Sequence, residues 1–309
     1  MLRRAGTVAL LGRPNAGKST LVNALLGETV AIVSQRPQTT RHRIAGVWTV
    51  EEGQAVLFDL PGVHRPLHRM NVQMMHVVRE TLAEVDLILQ LFDASALTGG
   101  GEEFVSRMVS SLATPVILVP TKLDLVGDAQ TLARRVEFFT ARQSYADVVP
   151  VAALHGRGLD TLRKAIFSRL PEGEPWLDPS LTTTQSERFF VAELIREAAL
   201  ARVGEELPYA LAVHLRHFQE EEGGSGSLLR IFADLVVERE GQKAILIGAG
   251  GSMIKAIGTA ARRRIETLLG ARVWLDLRVK VRPGWRDQAG FLSQLEPFEV
   301  SWSPAEGEE

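Results

Sequence analysis

The chain has no cysteine. That excludes a disulfide scaffold, a thiolate-ligated zinc or iron–sulfur site and a thiol nucleophile, and it fits a cytosolic protein. It has no run of 18 or more apolar residues, so no transmembrane helix is expected. The start, Met1-Leu2-Arg3-Arg4, has charge but no apolar segment before the first polar turn, so it does not read as a secretory signal. There are no internal repeats. Lysine is scarce, six against 29 arginines, a bias of thermophiles or of GC-rich genomes. What remains is ordinary for a soluble globular protein: 309 residues, 45% hydrophobic, 23% charged, net charge −2. That length suggests two domains.

The first half alternates two periodicities. Short apolar runs at 7–11, 54–58, 87–92, 116–119 and 147–151 read as strands. Helical spacing fits 18–26, 72–84, 102–112, 132–139 and 159–170 between them. Strands alternating with helices predict an α/β domain with a mostly parallel sheet and helices on both faces. Pro171-Glu172-Gly173-Glu174-Pro175, continuing to Ser180, reads as a linker. Beyond it the order changes to helix (187–202), strand (209–218), strand (228–238), a glycine-rich segment after an apolar run (244–251), helix (252–269, broken at Gly258) and a cleanly alternating strand (272–281). That predicts an α+β domain. The expected division is residues 1–172, a linker at 173–182, and 183–309 with an acidic, disordered tail from Pro304.

Gly12-Arg13-Pro14-Asn15-Ala16-Gly17-Lys18-Ser19 fits G-x-x-x-x-G-K-[ST], after a strand and opening a helix. Such a loop turns main-chain N–H groups toward phosphate oxygens at the positive end of a helix. Lys18 would reach the β- and γ-phosphates, the Ser19 hydroxyl would meet Mg²⁺, and Thr20 completes the set. Three further segments close successive strands, where open α/β sheets bind ligands. Asp59-Leu60-Pro61-Gly62 supplies a carboxylate for Mg²⁺ and the Gly62 N–H for a γ-phosphate. Thr121-Lys122-Leu123-Asp124 places a carboxylate that can accept two hydrogen bonds from guanine. Adenine would leave that charge unpaired. Ala152-Ala153-Leu154 offers a backbone N–H to guanine O6.

In the second domain, Ile247-Gly248-Ala249-Gly250-Gly251-Ser252 contains G-x-x-G, read here between a strand and a helix. Around it lie ten basic residues between Lys243 and Arg286 against two acids, Glu266 and Asp276. Lys255 and Arg262-Arg263-Arg264 on the following helix can track phosphates. A second nucleotide site at this loop would lack the Lys-Ser pair. Trp285 suits packing at the domain edge better than stacking on a base. His214 and His217, three apart in a strand, would face opposite ways and form no metal pair.

The motif order resembles the translation-factor-related GTPases over residues 1–172. With the second domain added, the whole chain is similar to the Era-like GTPases, a P-loop GTPase domain followed by a type II KH domain. The residues carrying this are Thr39-Thr40-Arg41-His42-Arg43, Asp59-x-Pro61-Gly62-x-His64, Gly248-x-x-Gly251 and Trp285-Arg286. The resemblance implies GTP and GDP as ligands, Mg²⁺ held by Ser19, Thr40 and Asp59 (Thr39 the alternative to Thr40), and catalytic roles for Lys18, Thr40 and Gly62. It implies K⁺ beside Asn15, in place of an arginine finger. It implies a monomer that binds the single-stranded 3′ end of small-subunit ribosomal RNA and the small ribosomal subunit. Ile247, Gly248, Ala249, Gly250, Gly251, Ser252, Lys255, Arg262 and Arg263 would touch that RNA. Cytoplasmic residence with peripheral contact at the inner face of the membrane is also implied. Two departures stand out: Thr121 replaces the usual Asn of the base motif, and Ala152 replaces the usual Ser of the last one. Val63 follows Gly62 where Ras-like enzymes carry a water-orienting Gln, so intrinsic hydrolysis should be slow. Two other functions stay open. One is a signalling or membrane-associated GTPase whose second domain binds a protein. The other is an RNA chaperone with a vestigial nucleotide site.

Overall fold

A computed structural model describes residues 3–33, 40–64, 67–204, 207–223 and 226–295. Thr39, the tip residues Gly224 and Ser225, and the tail from Pro304 lie outside them. The elements run β1 (Arg4–Gly12), α1 (Lys18–Leu26), β2 (Ile44–Val50), β3 (Gly53–Asp59), α2 (Arg69–Glu84), β4 (Leu87–Asp93), α3 (Gly100–Val109), β5 (Val116–Thr121), α4 (Ala129–Thr140), β6 (Asp147–Val148) and α5 (Leu159–Phe167). Then come α6 (Glu187–Leu200), α7 (Leu207–Ala210), β7 (Ala212–Gly223), β8 (Gly226–Val237), α8 (Glu240–Ile247), α9 (Ser252–Leu269), β9 (Arg272–Val281) and α10 (Ala289–Leu292).

The first sheet has the order β2-β3-β1-β4-β5-β6. Its central strands are buried on both faces, which is why they read as unbroken apolar runs. Only β2 is antiparallel. The strand–helix alternation does not reveal it, because β2 is joined to β3 by a hairpin with no helix between them. Gly53 in that turn has φ +147°, and a Cβ there would lie 1.8 Å from the Arg4 carbonyl oxygen, so no other residue fits.

The segment after α5 does not hang free. Val47 N–H donates to Thr182 O at 2.8 Å, and the Thr183 hydroxyl donates to Ala45 O at 2.7 Å. The fully buried Gln54 carboxamide accepts from the N–H groups of Trp176 and Leu177 and donates to Leu177 O. A buried amide with its partners in place ties the connection to the first domain.

In the second domain β7 and β8 form a hairpin and β9 joins parallel to β8, with α8 and α9 making the crossover. Leu246, Ile257, Ala261 and Ile265 of those helices meet α6 and the sheet in one core. Four local expectations change. Ile247 ends a helix, so the glycine loop joins two helices rather than a strand and a helix. Helix α9 passes through Gly258 unbroken. Strand β7 starts at Ala212, after the single turn α7. A bulge at Arg216 pairs His214 with Asp234 and His217 with Phe232, which by register share a face. Even so, no cluster of three or more metal-ligating acids and histidines occurs among the described residues.

The domains meet along α2. Met70 and Met74 pack with Ala212, Val236, Phe291 and the fully buried Trp285, whose indole N–H donates to Ala210 O at 2.9 Å. Arg69 N–H donates to Asp287 Oδ1 at 2.8 Å. The burial of Trp285 removes it as a base-stacking residue. Trp285→Ala should cost about 3–5 kcal/mol, as large-to-small core changes do. Denaturant unfolding of the full chain measures this, and a loss below about 1 kcal/mol would mean that the domain contact is not a folded core.

Candidate nucleotide site and nucleic-acid interface

The phosphate loop is shaped by left-handed residues. Asn15 has φ +63° and Gly17 φ +89°. The first is costly for a side-chain residue, and such strain concentrates at functional sites. Lys18 is buried, and its ammonium donates to the carbonyls of Gly12 (3.2 Å) and Arg13 (3.1 Å). Burial pushes its pKa down to about 8, with Asp59 opposing.

Three oxygens converge beside it. The Ser19 hydroxyl donates to Asp59 Oδ2 at 2.6 Å, Thr40 Oγ1 donates to the same oxygen at 3.2 Å, and the two hydroxyls are 3.0 Å apart. Asp59 is fully buried, and its Oδ1 has no hydrogen-bond partner among the described residues. Burial pushes this carboxyl up, while Lys18 and then the Ser19 and Thr40 hydroxyls pull it back. A buried carboxylate with a spare oxygen and two hydroxyls forms a donor set that suits a hard divalent cation. Gly62 lies against the phosphate loop, where a Cβ would come 2.7 Å from Pro14 N. Val63 is buried, and its N–H donates to Gly12 O at 3.0 Å.

On the base side, Thr121 Oγ1 is 2.8 Å from Ala16 O and 3.0 Å from Phe92 O. One hydroxyl thus ties the phosphate loop to β5 and β4. Lys122 has φ +55°, and its ammonium donates to Asp93 Oδ2 at 2.7 Å. Burial works against the charge on Asp93, but hydrogen bonds from Lys122 and Ser95 hold its carboxyl below the usual range. Asp124 lies 3.6 Å from His155. Leu123 N–H donates to Val151 O, which joins the two base loops. Between these parts is a cavity of about 510 Å³, lined among others by Asn15, Gly17, Lys18, Ser19, Thr20, Thr40, Gly62, Lys122 and Leu154. Gly12, Ala16, Asp59, Thr121, Asp124, Ala152 and Ala153 do not line it. Four neighbours were not singled out from sequence: Ile32, Val33 and Leu125, which line the cavity, and Asp93. Apolar linings carry no motif, and Asp93 is found only through its partner.

The G-x-x-G loop has three left-handed glycines, Gly248, Gly250 and Gly251. A Cβ on Gly248 would strike Met253 at 2.7 Å, whereas Gly250 and Gly251 have open space beside them. Ala249, Gly250, Ser252, Lys255, Arg262 and Arg263 are exposed, and Ile247 is half-buried. The basic stretch is less free than its composition suggests. Arg264 is paired with Glu197, Arg286 with Glu238, Lys243 with Glu240 and Arg278 with Asp276. Arg264 is thus partly neutralised by Glu197 of α6, an acid outside the counted segment.

Residues 7–122 match the family model of 50S ribosome-binding GTPases, and residues 206–286 match that of KH domains. GTPase Era of Heliobacterium modesticaldum is 43% identical over 289 residues, covering 94% of this chain and 95% of that protein. This chain belongs to the Era family of GTPases. GTPase Era of Staphylococcus epidermidis is 39% identical over 293 residues, 94% of this chain and 96% of that one. A crystal structure of Era with MgGDPNP and nucleotides 1506–1542 of 16S ribosomal RNA is 34% identical and superposes with a TM-score of 0.90, over 95% of this chain and 98% of that one. A variant of Aquifex aeolicus Era bound to GDP and aluminium fluoride is 35% identical, with a TM-score of 0.88 over 94% and 98%. The P-loop GTPase domain, the KH domain and the hydrolysis of GTP are thus those of the Era family.

Phosphates placed beside Lys18 would raise its pKa from about 8, so nucleotide binding would take up a proton. Affinity for GDP should then fall as pH rises above 8, by up to about tenfold per unit. Calorimetry at pH 8.5 in buffers of different ionisation enthalpy checks this. No proton uptake would show that Lys18 is fully charged before binding.

Proposed function

We propose that this GTPase uses its nucleotide state to govern binding of the single-stranded 3′ end of small-subunit ribosomal RNA by its KH domain, as a step in small-subunit assembly. The observation that carries the proposal is the open glycine loop between α8 and α9, with the exposed cations Lys255, Arg262 and Arg263 on the helix that follows. Backbone this bare lets a nucleotide chain come close, and the cations neutralise its phosphates. The RNA-bound Era structure, alike over nearly the whole chain, supports the same reading.

In the nucleotide site Ser19, Thr40 and Asp59 would hold Mg²⁺, which when bound neutralises phosphate charge. Lys18 adds a second positive charge at the β- and γ-phosphates. The Gly62 N–H serves the γ-phosphate, and with Thr40 it marks the two segments that report its loss. Asp124 selects guanine. Val63, buried and tied to Gly12, cannot orient water, so the intrinsic rate is slow. Asn15, held left-handed at the cavity wall, would help hold K⁺ there and supply charge to the transition state.

Two experiments test this. Fluorescence anisotropy with an oligonucleotide of the rRNA 3′ end should show tighter binding with a GTP analogue than with GDP, weakening as salt rises. Gly251→Asp, at φ +79°, should cut that affinity at least about tenfold while leaving GTP hydrolysis intact. Equal affinity in both nucleotide states would remove the coupling. Separately, hydrolysis should be faster in KCl than in NaCl at equal ionic strength, and equal rates would remove K⁺.

A further inference from the structure

A groove of about 530 Å³ runs along the outer side of the KH domain, between α9 and β9. One wall is a single helix face: Lys255, Gly258, Thr259 and Arg262. The other is β9, which among the described residues pairs only with β8 and so presents a strand edge to the groove. Gly258 sits opposite Leu277, where a Cβ would be 3.6 Å from the Leu277 side chain. The two elements run in opposite directions about the turn at Gly270. From that fixed point Arg262 lies about 6 Å further along the helix. Trp274 lies about 10 Å back along the strand, at the same end. That end is about 15 Å of helix away from the glycine loop.

Trp274 is out of place for a packing residue. It is 59% exposed, more than Trp176 at 46%, whereas Trp48 and Trp285 are buried. The alternation of β9 turns Val273 into the core and Trp274 away from it. Its neighbour across the groove, Arg262, and Lys255 nearer the loop have no acidic partner among the described residues. An exposed indole on an open strand edge, with Lys255 and Arg262 on the facing helix and the acid of the same groove, Asp276, paired with Arg278, combines a π-face with phosphate-seeking charge. That combination fits one base of a single-stranded nucleic acid.

We propose that Trp274 is a base-stacking platform, a subsite for one RNA base at the far end of the groove from the G-x-x-G loop. KH clamping relies on backbone approach rather than on aromatic stacking. Trp274 therefore extends the recognised stretch by a contact that favours any unpaired base. The proposal rests on RNA binding by this domain, as put forward above.

The test is an abasic scan of an rRNA 3′-end oligonucleotide, with binding measured to the full-length protein and to Trp274→Ala, Trp274→Phe and Trp274→Leu. Trp274→Ala should weaken the intact oligonucleotide about tenfold. Trp274→Phe should keep most of the affinity, and Trp274→Leu should lose as much as Ala. At one nucleotide position the abasic site should cost wild type about tenfold and cost Trp274→Ala nothing. Equal affinity of wild type and Trp274→Ala overturns the proposal, as does a loss that is the same at every abasic position. Should wild type fail to bind the RNA at all, or Gly251→Asp fail to weaken it, the reading of the KH domain falls first and this subsite with it. Unchanged GTP hydrolysis and melting temperature in the three variants separate lost stacking from lost folding.

Discussion

One peptide unit joins the two domains' chemistry. Thr40 points at Ser19 and Asp59 in the nucleotide site, while Arg41, the next residue, donates its guanidinium to Leu211 O at 2.7 Å and lies 5.9 Å from the Trp285 ring. Arg41 is buried, which brings its pKa down to about 9; Arg196 reinforces this and Glu193 opposes it. It remains charged at neutral pH. Pulling it from the Leu211 carbonyl would remove a hydrogen bond to a buried cation, which costs more than one to a neutral group. Adjacent residues cannot move independently, so a change in the Thr40 position bears directly on the KH domain. Met70 and Met74 of α2, following the Asp59–Gly62 segment, press on the same part of that domain. The Thr40–Arg41 segment and the helix that follows Asp59–Gly62 thus both end on one hydrophobic contact around Trp285.

Much of this was legible in the sequence because it is local. The phosphate loop needs its glycines and lysine at fixed spacing within eight residues, so the motif is visible as text. The same holds for the strand-ending segments at Asp59 and Asp124, and for the glycine loop before α9. What depended on distant partners was hidden. Strand β2 exists because it pairs with β3 across a two-residue turn at Glu51 and Glu52. The bulge at Arg216 is a matter of register with β8, and strict alternation cannot anticipate it. Counting charge over a segment likewise misses acids supplied from elsewhere, as Glu197 and Glu238 do for Arg264 and Arg286.

The site residues that sequence reasoning missed share a physical feature. Asp93 acts through Lys122 and so sits in no recognisable pattern, and Arg41, although it lies in the Thr39–Arg43 motif, takes its partner from the far domain, which no local spacing shows. The backbone strain at Asn15 and Lys122 is equally silent in the text, since nothing in either residue type demands a positive φ. Both are held left-handed by loops that converge on one cavity. That coincidence locates the site independently of any motif.

The two departures from the family's base motifs can be weighed on the same geometry. At position 121 the side chain must bridge the phosphate loop and the sheet, and the Thr121 hydroxyl does so through Ala16 O and Phe92 O. An asparagine amide would bring a second donor hydrogen, whereas a hydroxyl shares one proton between the two carbonyls. The tie is kept but weakened. At position 152 the lost serine hydroxyl leaves the main chain in place, since Ala152 N–H donates to Arg157 O and Leu123 N–H bonds to Val151 O next to it. The loops are held by backbone, and base selection is left to the Asp124 carboxylate. Under the proposed role of Asp124, specificity for guanine would survive both changes, because neither touches the charge that adenine cannot satisfy.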